Sequence, residues 1–311
     1  MGHNFIREGF ASLESKFEII YPETPLFSRT EIMELITDVE VFVPNFSFQT
    51  DIEMIDAGKN LKLIANFGVG YNNIDTGYAA TKGITVTNTP QSVLEPTAEL
   101  CFALIMATAR KVAYYNHKLH NGIRLDWSLF GDLGMPLYGQ TLGIYGMGRI
   151  GQAVARRAVA SGMKIIYHNR HALPKEIEDS YNAVYVDFDT LLKESDIISL
   201  NAPATTETYH LIGEPELKKM KETAILINTA RGQLVDTIAL AKALNEGEIY
   251  AAGLDVYENE PKIPQELISL DNVVLCPHAG TKTYAARIDM ELEVAKNILN
   301  FFEGGQIDKV N

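Results

Sequence analysis

Cysteine, tryptophan and basic residues are scarce in this chain of 311 residues. It contains two cysteines and one tryptophan, and 27 Lys and Arg residues stand against 40 Asp and Glu residues, which gives a net charge of −13. Cys101 and Cys276 cannot supply a disulfide framework or a zinc-ligand set, and their apolar neighbours predict reduced core residues of a cytoplasmic protein. The acidic balance disfavours nucleic acid and anionic membranes as partners.

Long apolar runs are also absent. No run reaches the roughly 18 residues that a membrane span requires, and the first ten residues, MGHNFIREGF, contain no apolar core of a signal peptide. The sequence therefore predicts a protein without a membrane or a metal ion as partner. At 46% hydrophobic and 22% charged residues, the composition is that of a globular protein, and the length suits two domains.

Strand and helix patterns alternate along the chain, which predicts parallel α/β sheets. Strands are predicted at 17–21, 41–44, 61–66, 84–88, 142–145, 164–167, 196–201, 224–228, 251–256 and 273–276. Helices are predicted at 29–37, 52–57, 96–120, 190–194, 214–220, 237–245 and 284–302. Residues 1–10 hold little of the opening strand that such a unit normally has, so that strand is short or missing.

The stretch from Thr141 to Ala160, TLGIYGMGRIGQAVARRAVA, combines a strand, a glycine-rich turn and a helix. Gly146, Gly148 and Gly151 have the G-x-G-x-x-G spacing. The first glycine suits a tight turn, the second lets the backbone approach a pyrophosphate, and the third lets the helix pack on the strand. The N–H groups at the start of the helix suit phosphate. The pattern predicts a dinucleotide site; the alternative is a tight turn without a ligand.

The residues about 20 positions further on bear on which dinucleotide would bind. An Asp or Glu there binds the ribose 2′-hydroxyl of NAD, but this strand ends in His168, Asn169 and Arg170. An arginine pairs with a 2′-phosphate, which a carboxylate would repel. Asn169 and Arg170 therefore favour NADP over NAD. The alternative is that Arg170 is a solvated charge at a site that accepts both cofactors.

A second glycine-containing loop, Asn66-Phe67-Gly68-Val69-Gly70-Tyr71, follows the predicted strand at 61–66. Ligands of open α/β sheets bind beyond the carboxyl ends of the strands. Backbone N–H groups exposed beside two glycines suit a carboxylate. An ordinary glycine turn accounts for the spacing equally well.

Three polar side chains follow predicted strands in the second half of the chain: Arg231, Glu260 and His278. Histidine is suited to donate a proton to a carbonyl oxygen near neutral pH, and a neighbouring carboxylate fixes its tautomer. An arginine can hold a substrate carboxylate and polarise the carbonyl. Because all three residues follow strands of a nucleotide-binding unit, the sequence predicts a dehydrogenase that interconverts a carbonyl and an alcohol.

A set of six segments resembles the D-isomer-specific 2-hydroxyacid dehydrogenase family. In chain order they are NFGVGYNNID, TNTP, the glycine stretch from Thr141 to Ala160, LINTARGQLVD, AAGLDVYENEP and LCPHAGTKT. The resemblance implies two doubly wound parallel-sheet domains. A flavodoxin-like substrate domain would comprise 1–92 with 281–311, and a Rossmann cofactor domain would comprise 93–280. It also implies a homodimer through the cofactor domain, with residues 96–138 in the interface.

The resemblance assigns roles by motif position. Arg231 would bind the substrate carboxylate and carbonyl, Glu260 would pair with the histidine, and His278 would donate the proton. The residues that would contact the cofactor are Gly146, Gly148, Arg149, Ile150, Gly151, Asn169, Arg170, Ala230, Asp255 and Thr97. The residues that would contact the substrate are Val69, Gly70, Phe46, Arg231 and Arg287. Glu258, the other acid before Pro261, is expected to be solvated.

Within the family, the ending PHAGTKTYAAR is similar to that of glyoxylate/hydroxypyruvate reductases, and Asn169-Arg170 fits their common use of NADPH. Ala279, Lys282 and Phe46 depart from the family pattern at positions that bear on substrate choice. One alternative is an NAD-dependent D-lactate or D-3-phosphoglycerate dehydrogenase, although only Lys62 could serve a phosphate near the Asn66 loop. Another is a dinucleotide-sensing, corepressor-like binding protein with little turnover.

Overall fold

The computed structural model describes residues 1–311, which form two compact units. Unit 1 consists of Met1–Pro96 and Thr281–Asn311, and unit 2 of Thr97–Gly280. The sequence places the first division at 92/93 and the second at 280/281. Both chain ends therefore belong to unit 1, whereas unit 2 is one continuous segment.

Ten strands and thirteen α-helices make up the two units. The strands are β1 Val41–Phe42, β2 Leu63–Ala65, β3 Thr85–Thr87, β4 Thr141–Tyr145, β5 Lys164–His168, β6 Ala183–Tyr185, β7 Ile197–Leu200, β8 Ile225–Asn228, β9 Ala251–Leu254 and β10 Val273–Leu275. The helices are α1 Ala11–Glu14, α2 Arg29–Leu35, α3 Ile52–Ala57, α4 Thr76–Thr81, α5 Leu94–Ala109, α6 Val112–His120, α7 Arg149–Ala160, α8 Lys175–Tyr181, α9 Phe188–Glu194, α10 Glu214–Leu217, α11 Thr237–Glu246, α12 Gln265–Ile268 and α13 Tyr284–Glu303. No helix combines the length and the apolar composition needed to cross a membrane.

Unit 1 is a parallel three-stranded sheet in the order β1-β2-β3. Its central strand shows the period of two that sends alternate side chains to opposite faces. Leu63 and Ala65 pack in the cluster that contains Met290 of α13, whereas Ile64 packs with Met54 of α3. Both faces of the sheet are thus covered by helices, as the predicted doubly wound fold requires.

The predicted strand at 17–21 is wrong, and the opening strand of unit 1 is missing. Residues 1–4 form no strand: the Gly2 N–H donates to the Val43 carbonyl at 2.9 Å, and His3 forms an isolated antiparallel bridge with Leu26. The apolar residues around 17–21 pack against other parts of unit 1 instead of joining a ladder. Phe17 lies 5.3 Å from Phe302 between ring centres, and Arg7 stacks over the Tyr21 ring. Alternating apolar residues therefore reflect side-chain packing here.

A buried carboxylate fixes the N-terminal segment of unit 1 on its C-terminal helix. Glu291 of α13 is 1% exposed and accepts hydrogen bonds from the Arg7 and Gly9 N–H groups at 3.1 and 3.0 Å. A β-carbon at Gly9 would lie 2.4 Å from the β-carbon of Glu291. Only glycine permits this approach of the 3-10 turn Glu8–Phe10 to the helix.

Unit 2 is a parallel seven-stranded sheet in the order β10-β9-β8-β7-β4-β5-β6. The chain starts at β4, adds β5 and β6 on one side, and then adds β7 to β10 on the other. Strand order therefore reverses between β4 and β7, which is the place where dinucleotides bind in such sheets. Leucines and isoleucines of β7 and β8 form a core with α9, α10 and α11. This sheet confirms the predicted Rossmann architecture.

The predicted helix at 96–120 is two helices, α5 and α6. Lys111, between them, has a left-handed backbone with φ of 54°, and the Ala109 carbonyl accepts from the Met135 N–H at 2.7 Å. No glycine or proline marks this break, so the apolar spacing runs through it. The edge strand β6 was also not predicted, because its Val184 is 57% exposed and the strand has no buried apolar run.

Glu291→Ala is expected to lower the free energy of unfolding by about 1–3 kcal/mol, because two N–H groups would lose their acceptor in a buried place. The measurement is urea denaturation followed by circular dichroism. Glu303→Ala is the matched control on the same helix: Glu303 pairs with Lys16 at the surface, and its loss is expected to cost less than about 1 kcal/mol. Equal losses for both variants would contradict the role of Glu291.

Candidate active site

The glycine turn of unit 2 lies at the point where strand order reverses. Gly146 follows β4 with φ of 91°, and a β-carbon there would lie 2.8 Å from the Ala202 nitrogen, beyond the end of β7. A β-carbon at Gly151 would lie 2.6 Å from the Gly146 carbonyl oxygen. A β-carbon at Gly148, in contrast, would meet nothing within 4 Å. The first and third glycines are required by packing, and the second leaves open space for a pyrophosphate.

The start of α7 completes this turn. Gly148 is the N-cap of α7 and makes no side-chain cap, and Arg149 and Ile150 are the first residues of the helix. The N–H groups of the first helical turn have no partners within a helix, and they carry the positive end of the helix dipole. The arrangement therefore fits the phosphates of a dinucleotide.

Asn169 connects the end of β5 to the glycine turn. Its Oδ1 accepts a hydrogen bond from the Met147 N–H at 2.7 Å, and its carbonyl accepts from the Tyr185 hydroxyl at 3.2 Å. The neighbouring Arg170 is exposed. The side-chain oxygen of Asn169 is thus engaged with the glycine turn. Arg170 is the solvent-exposed cation at the end of β5.

The three predicted reactive residues follow adjacent parallel strands. Arg231 follows β8, Glu260 follows β9 and His278 follows β10, and these strands are neighbours in the sheet. Because parallel strands end at one edge, the three loops come together there. The His278 Nδ1 lies 2.7 Å from the Glu260 Oε2, so the structure forms the histidine–carboxylate pair that the sequence predicts.

Glu260 receives hydrogen bonds at both carboxylate oxygens. Besides His278, the Tyr257 N–H donates to Oε1 at 3.0 Å. Burial raises the pKa of Glu260, but the hydrogen bond and charge of His278, the Tyr257 N–H and the charge of Arg231 together bring that pKa below its usual value. The carboxylate is therefore ionised at neutral pH and can accept a hydrogen bond from the Nδ1–H group of the imidazole.

Asn228, the last residue of β8, shapes the Arg231 loop. Its Nδ2 donates to the Arg231 carbonyl at 2.8 Å, and its Oδ1 accepts from the Ala230 N–H at 3.1 Å. A β-carbon at Gly232 would lie 1.9 Å from the carbonyl carbon of Tyr257, so this loop packs directly on the backbone that leads to Glu260. Burial lowers the pKa of the Arg231 guanidinium, and the Glu260 charge opposes that shift.

Asp255 holds the loop that carries His278. Its carbonyl accepts from the His278 N–H at 2.8 Å, and its carboxylate oxygens accept from the Ala279 and Gly280 N–H groups at 2.6 and 2.9 Å. Burial raises the pKa of Asp255, and the two loop N–H groups oppose that shift. These contacts hold His278 at a φ of 50°, which is uncommon for a residue other than glycine.

Thr97 lies beside the same loop. A β-carbon at Gly280 would lie 3.3 Å from the Thr97 Oγ1 and 3.6 Å from the Asp255 Oδ2. The structure thus brings together Thr97 and Asp255, two of the residues predicted to contact the cofactor.

In unit 1, the Asn66 loop presents two backbone donors. Asn66 Nδ2 donates to the Gly68 and Gly70 carbonyls at 3.0 and 2.9 Å, and Asn88 Nδ2 donates to the Val69 carbonyl at 2.8 Å. The carbonyls are therefore engaged, whereas the N–H groups of Val69 and Gly70 donate to no protein group. This arrangement fits the carboxylate site that the sequence predicts for the loop.

Two further predicted substrate residues belong to unit 1. Phe46 is 44% exposed in the loop after β1. Arg287 is half-buried, its guanidinium carbon lies 5.8 Å from the centre of the Phe67 ring, and burial lowers its pKa. A half-buried guanidinium beside an aromatic ring of the Asn66 loop is suited to an anion.

The prediction that Glu258 is solvated is wrong. Its Oε1 lies 2.6 Å from the His210 Nε2, and its Oε2 accepts from the Thr237 N–H at 3.3 Å. Burial raises the pKa of Glu258, but the hydrogen bonds from His210 and Thr237 bring it below its usual value. Sequence reasoning also missed Tyr257, whose hydroxyl donates to the Cys276 carbonyl at 2.8 Å and so connects β9 to β10.

No three His, Cys, Asp or Glu side chains of the structure are arranged to hold a metal ion. Glu260 and Asp255 accept from backbone N–H groups at this edge of the sheet, and the Arg231 Nη1 donates to the Ala230 carbonyl at 2.6 Å. The arrangement can bind an anion through Arg231 and move a proton through His278.

Comparison with known proteins identifies relatives over nearly the whole chain. Glyoxylate reductase of Thermococcus litoralis is 48% identical over 301 residues, which cover 95% of this chain and 91% of that protein. The crystal structure of a glyoxylate reductase from Paecilomyes thermophila is 39% identical and superposes with a TM-score of 0.88, covering 99% of this chain and 95% of that one.

An NADPH-dependent glyoxylate/hydroxypyruvate reductase from Sinorhizobium meliloti, solved with NADP and malonate, is 31% identical. It superposes with a TM-score of 0.85 and covers 99% of this chain and 94% of that one. The family description "D-isomer specific 2-hydroxyacid dehydrogenase, NAD binding domain" matches residues 102–280. The chain therefore belongs to the D-isomer-specific 2-hydroxyacid dehydrogenase family.

Proposed function

We propose that this dehydrogenase reduces a short 2-oxo acid, glyoxylate or hydroxypyruvate, with NADPH. The observation that carries the proposal is the His278–Glu260 pair, at 2.7 Å, at the sheet edge that also carries Arg231 and the glycine turn. Relatives named as glyoxylate reductases, at 44–48% identity, support the substrate class. A relative named as NADPH-dependent supports the cofactor.

The residues at the sheet edge divide the reaction between them. The bound nicotinamide supplies the hydride. Nδ1 of His278 pairs with Glu260, so Nε2 is the ring nitrogen that gives its proton to the substrate oxygen, and Glu260 fixes the ring and its tautomer. Arg231 binds the substrate carboxylate and polarises the carbonyl. Its partly buried position strengthens that attraction, because fewer water dipoles screen it.

Different parts of the cofactor are assigned to different residues of unit 2. We assign the pyrophosphate to the turn from Gly146 to Gly151, with Arg149 and Ile150, and the 2′-phosphate to Arg170. Asn169 holds the turn through Met147. Ala230 and Asp255 are assigned to the nicotinamide carboxamide, and Thr97 is assigned to the cofactor as a further contact. NADP is the preferred cofactor in this proposal, and NAD can bind in the same place without the Arg170 contact.

In unit 1 the proposal assigns the N–H groups of Val69 and Gly70 to the substrate carboxylate. These donors are backbone groups, so they distinguish a carboxylate from a neutral group but not one short oxo acid from another. Phe46 and Arg287 are assigned to the remainder of the substrate, where an aromatic side chain and a cation favour a small polar substituent.

We further propose a homodimer through unit 2. The large apolar side chains with the highest exposed fractions lie in the segment after α6: Trp127 is 88%, Leu129 86% and Phe130 84% exposed. Apolar patches of this kind on a folded protein mark interaction surfaces. A second copy of this chain is the occupant that the family resemblance implies. The cytoplasmic location stays a prediction, in keeping with the two free cysteines.

A panel of 2-oxo acids, each with NADPH and NADH, tests substrate and cofactor together through loss of nicotinamide absorbance. Glyoxylate and hydroxypyruvate are expected to give the highest kcat/KM, with NADPH preferred. Arg170→Ala is expected to reduce the ratio of kcat/KM with NADPH to that with NADH by at least about tenfold, since a charge-assisted contact to the 2′-phosphate is lost. Lys164→Ala, at the opposite end of β5, is the matched control. An equal loss with both cofactors would refute the role of Arg170.

His278→Ala is expected to lower kcat by roughly 10²–10⁴-fold, which is the usual contribution of a positioned general acid. Glu260→Gln keeps a hydrogen-bond acceptor beside the imidazole but removes its charge, so an intermediate loss is expected. The measurement is steady-state reduction of glyoxylate, with the dissociation constant of NADPH followed by fluorescence as a check on folding. Turnover near that of the wild type in His278→Ala would rule out proton donation by this residue.

Phe130→Asp is expected to convert the dimer to a monomer at micromolar concentration, because the interface would have to bury an unpaired carboxylate. Sedimentation velocity measures the change. Ile238→Asp, which places the same charge on an exposed apolar position of α11, is the control and is expected to remain dimeric. A wild-type chain that sediments as a monomer would refute the proposed dimer.

A further inference from the structure

Unit 2 contains a second histidine–carboxylate pair. Its glutamate, Glu258, lies two residues before Glu260 in the chain. Glu258 and Glu260 are separated by Asn259, and each accepts from a different histidine. Glu260 pairs with His278 at 2.7 Å, and Glu258 pairs with His210 at 2.6 Å. The loop that carries Glu260 is therefore fixed on both sides, and the second pair has no part in the chemistry assigned above.

The His210 pair is also tied to the loop that carries Arg231. The His210 N–H donates to the Gln233 carbonyl at 2.8 Å, and the Gln233 Nε2 donates to the Glu258 carbonyl at 3.2 Å. Gly232 packs so closely on the peptide group between Tyr257 and Glu258 that a β-carbon would not fit there. Hydrogen bonds and close packing therefore connect three segments into one block, which consists of residues 231–233, residues 257–260 and His210.

The His210 ring is itself held in one orientation. The Tyr209 ring stacks on it, with 4.1 Å between centres and an angle of 15° between planes. The His210 backbone has a φ of 51°, which is costly for a residue other than glycine and persists only where surrounding contacts impose it. The imidazole is thus a pre-positioned partner for Glu258.

We propose that His210, through Glu258, is a positioning residue that sets the placement of both Glu260 and Arg231. This inference rests on the proposed function, since it concerns the geometry of that reaction. The loop from Glu258 to Glu260 contacts the Arg231 loop directly, so a shift at Glu258 displaces the base that orients His278 and the cation that binds the substrate. A displacement of about 1 Å at such a site can cost on the order of a hundredfold in rate.

The test compares His210→Ala with His210→Gln. The alanine variant removes the donor to Glu258, whereas the glutamine amide can still donate to it. In His210→Ala, kcat/KM for the 2-oxo acid is expected to fall by at least about tenfold, with lower kcat and higher KM, because both Glu260 and Arg231 shift. His210→Gln is expected to recover most of that loss. Lys218→Ala, which breaks an exposed ion pair of α10 with Glu214, is the control and is expected to match the wild type.

Two further readouts separate positioning from loss of folding. The dissociation constant of NADPH is expected to stay within about twofold in both His210 variants, because the glycine turn lies outside the block. The proton NMR signal of the His278 Nδ1–H, assigned by its loss in His278→Ala, is expected to move in His210→Ala and to return in His210→Gln. A merely structural role would lower the melting temperature without moving this signal.

The outcomes distinguish this inference from the proposed function. A wild-type protein that reduces no 2-oxo acid would refute the proposed function, and the NMR signal would still decide whether His210 positions the Glu260–His278 pair. An active wild type with unchanged kcat/KM and an unchanged NMR signal in His210→Ala would refute the positioning role alone. Equal losses in His210→Ala and His210→Gln would also refute it, since the donor to Glu258 would then be irrelevant.

Discussion

The buried residue Asp255 connects the ends of three neighbouring strands. It follows β9, its N–H donates to the Asn228 carbonyl at the end of β8 at 2.9 Å, and its carbonyl and carboxylate hold the backbone of residues 278–280 after β10. A carboxylate that is 1% exposed would be costly without such partners. The strained backbone of His278 is possible because these contacts compensate for it, and the histidine–glutamate pair depends on that backbone.

Much of the architecture could be predicted from the residues. Strands of unit 2 are short buried apolar runs followed by glycine or polar residues, so β4, β5, β7, β8, β9 and β10 were each predicted within a few residues. The glycine turn was predictable because each glycine has a separate steric reason: Gly146 and Gly151 are crowded, and Gly148 is open. Arg231, Glu260 and His278 were predictable because parallel strands end at one edge.

Other features depend on contacts that spacing does not reveal. The break at Lys111 is a left-handed residue without a glycine signal. The segment at 17–21 alternates apolar residues as a strand does, yet uses them to pack on α13 and the N-terminal residues. Glu258 looks like any acid in a polar loop, and only its approach to His210, 48 positions away, shows that it is engaged. A polar contact between two loops that are distant in the chain produces no periodic pattern in the sequence.

The origin of unit 1 from both chain ends affects how the protein is made. Unit 2 is continuous from Thr97 to Gly280, so its sheet can close while the ribosome is still adding residues. Unit 1 has no partner for the Arg7 and Gly9 N–H groups until Glu291 has been translated, and the face of β2 that holds Leu63 stays open until α13 arrives. The first 96 residues therefore stay incompletely packed until α13 has been made, and unit 2 can be completed before unit 1.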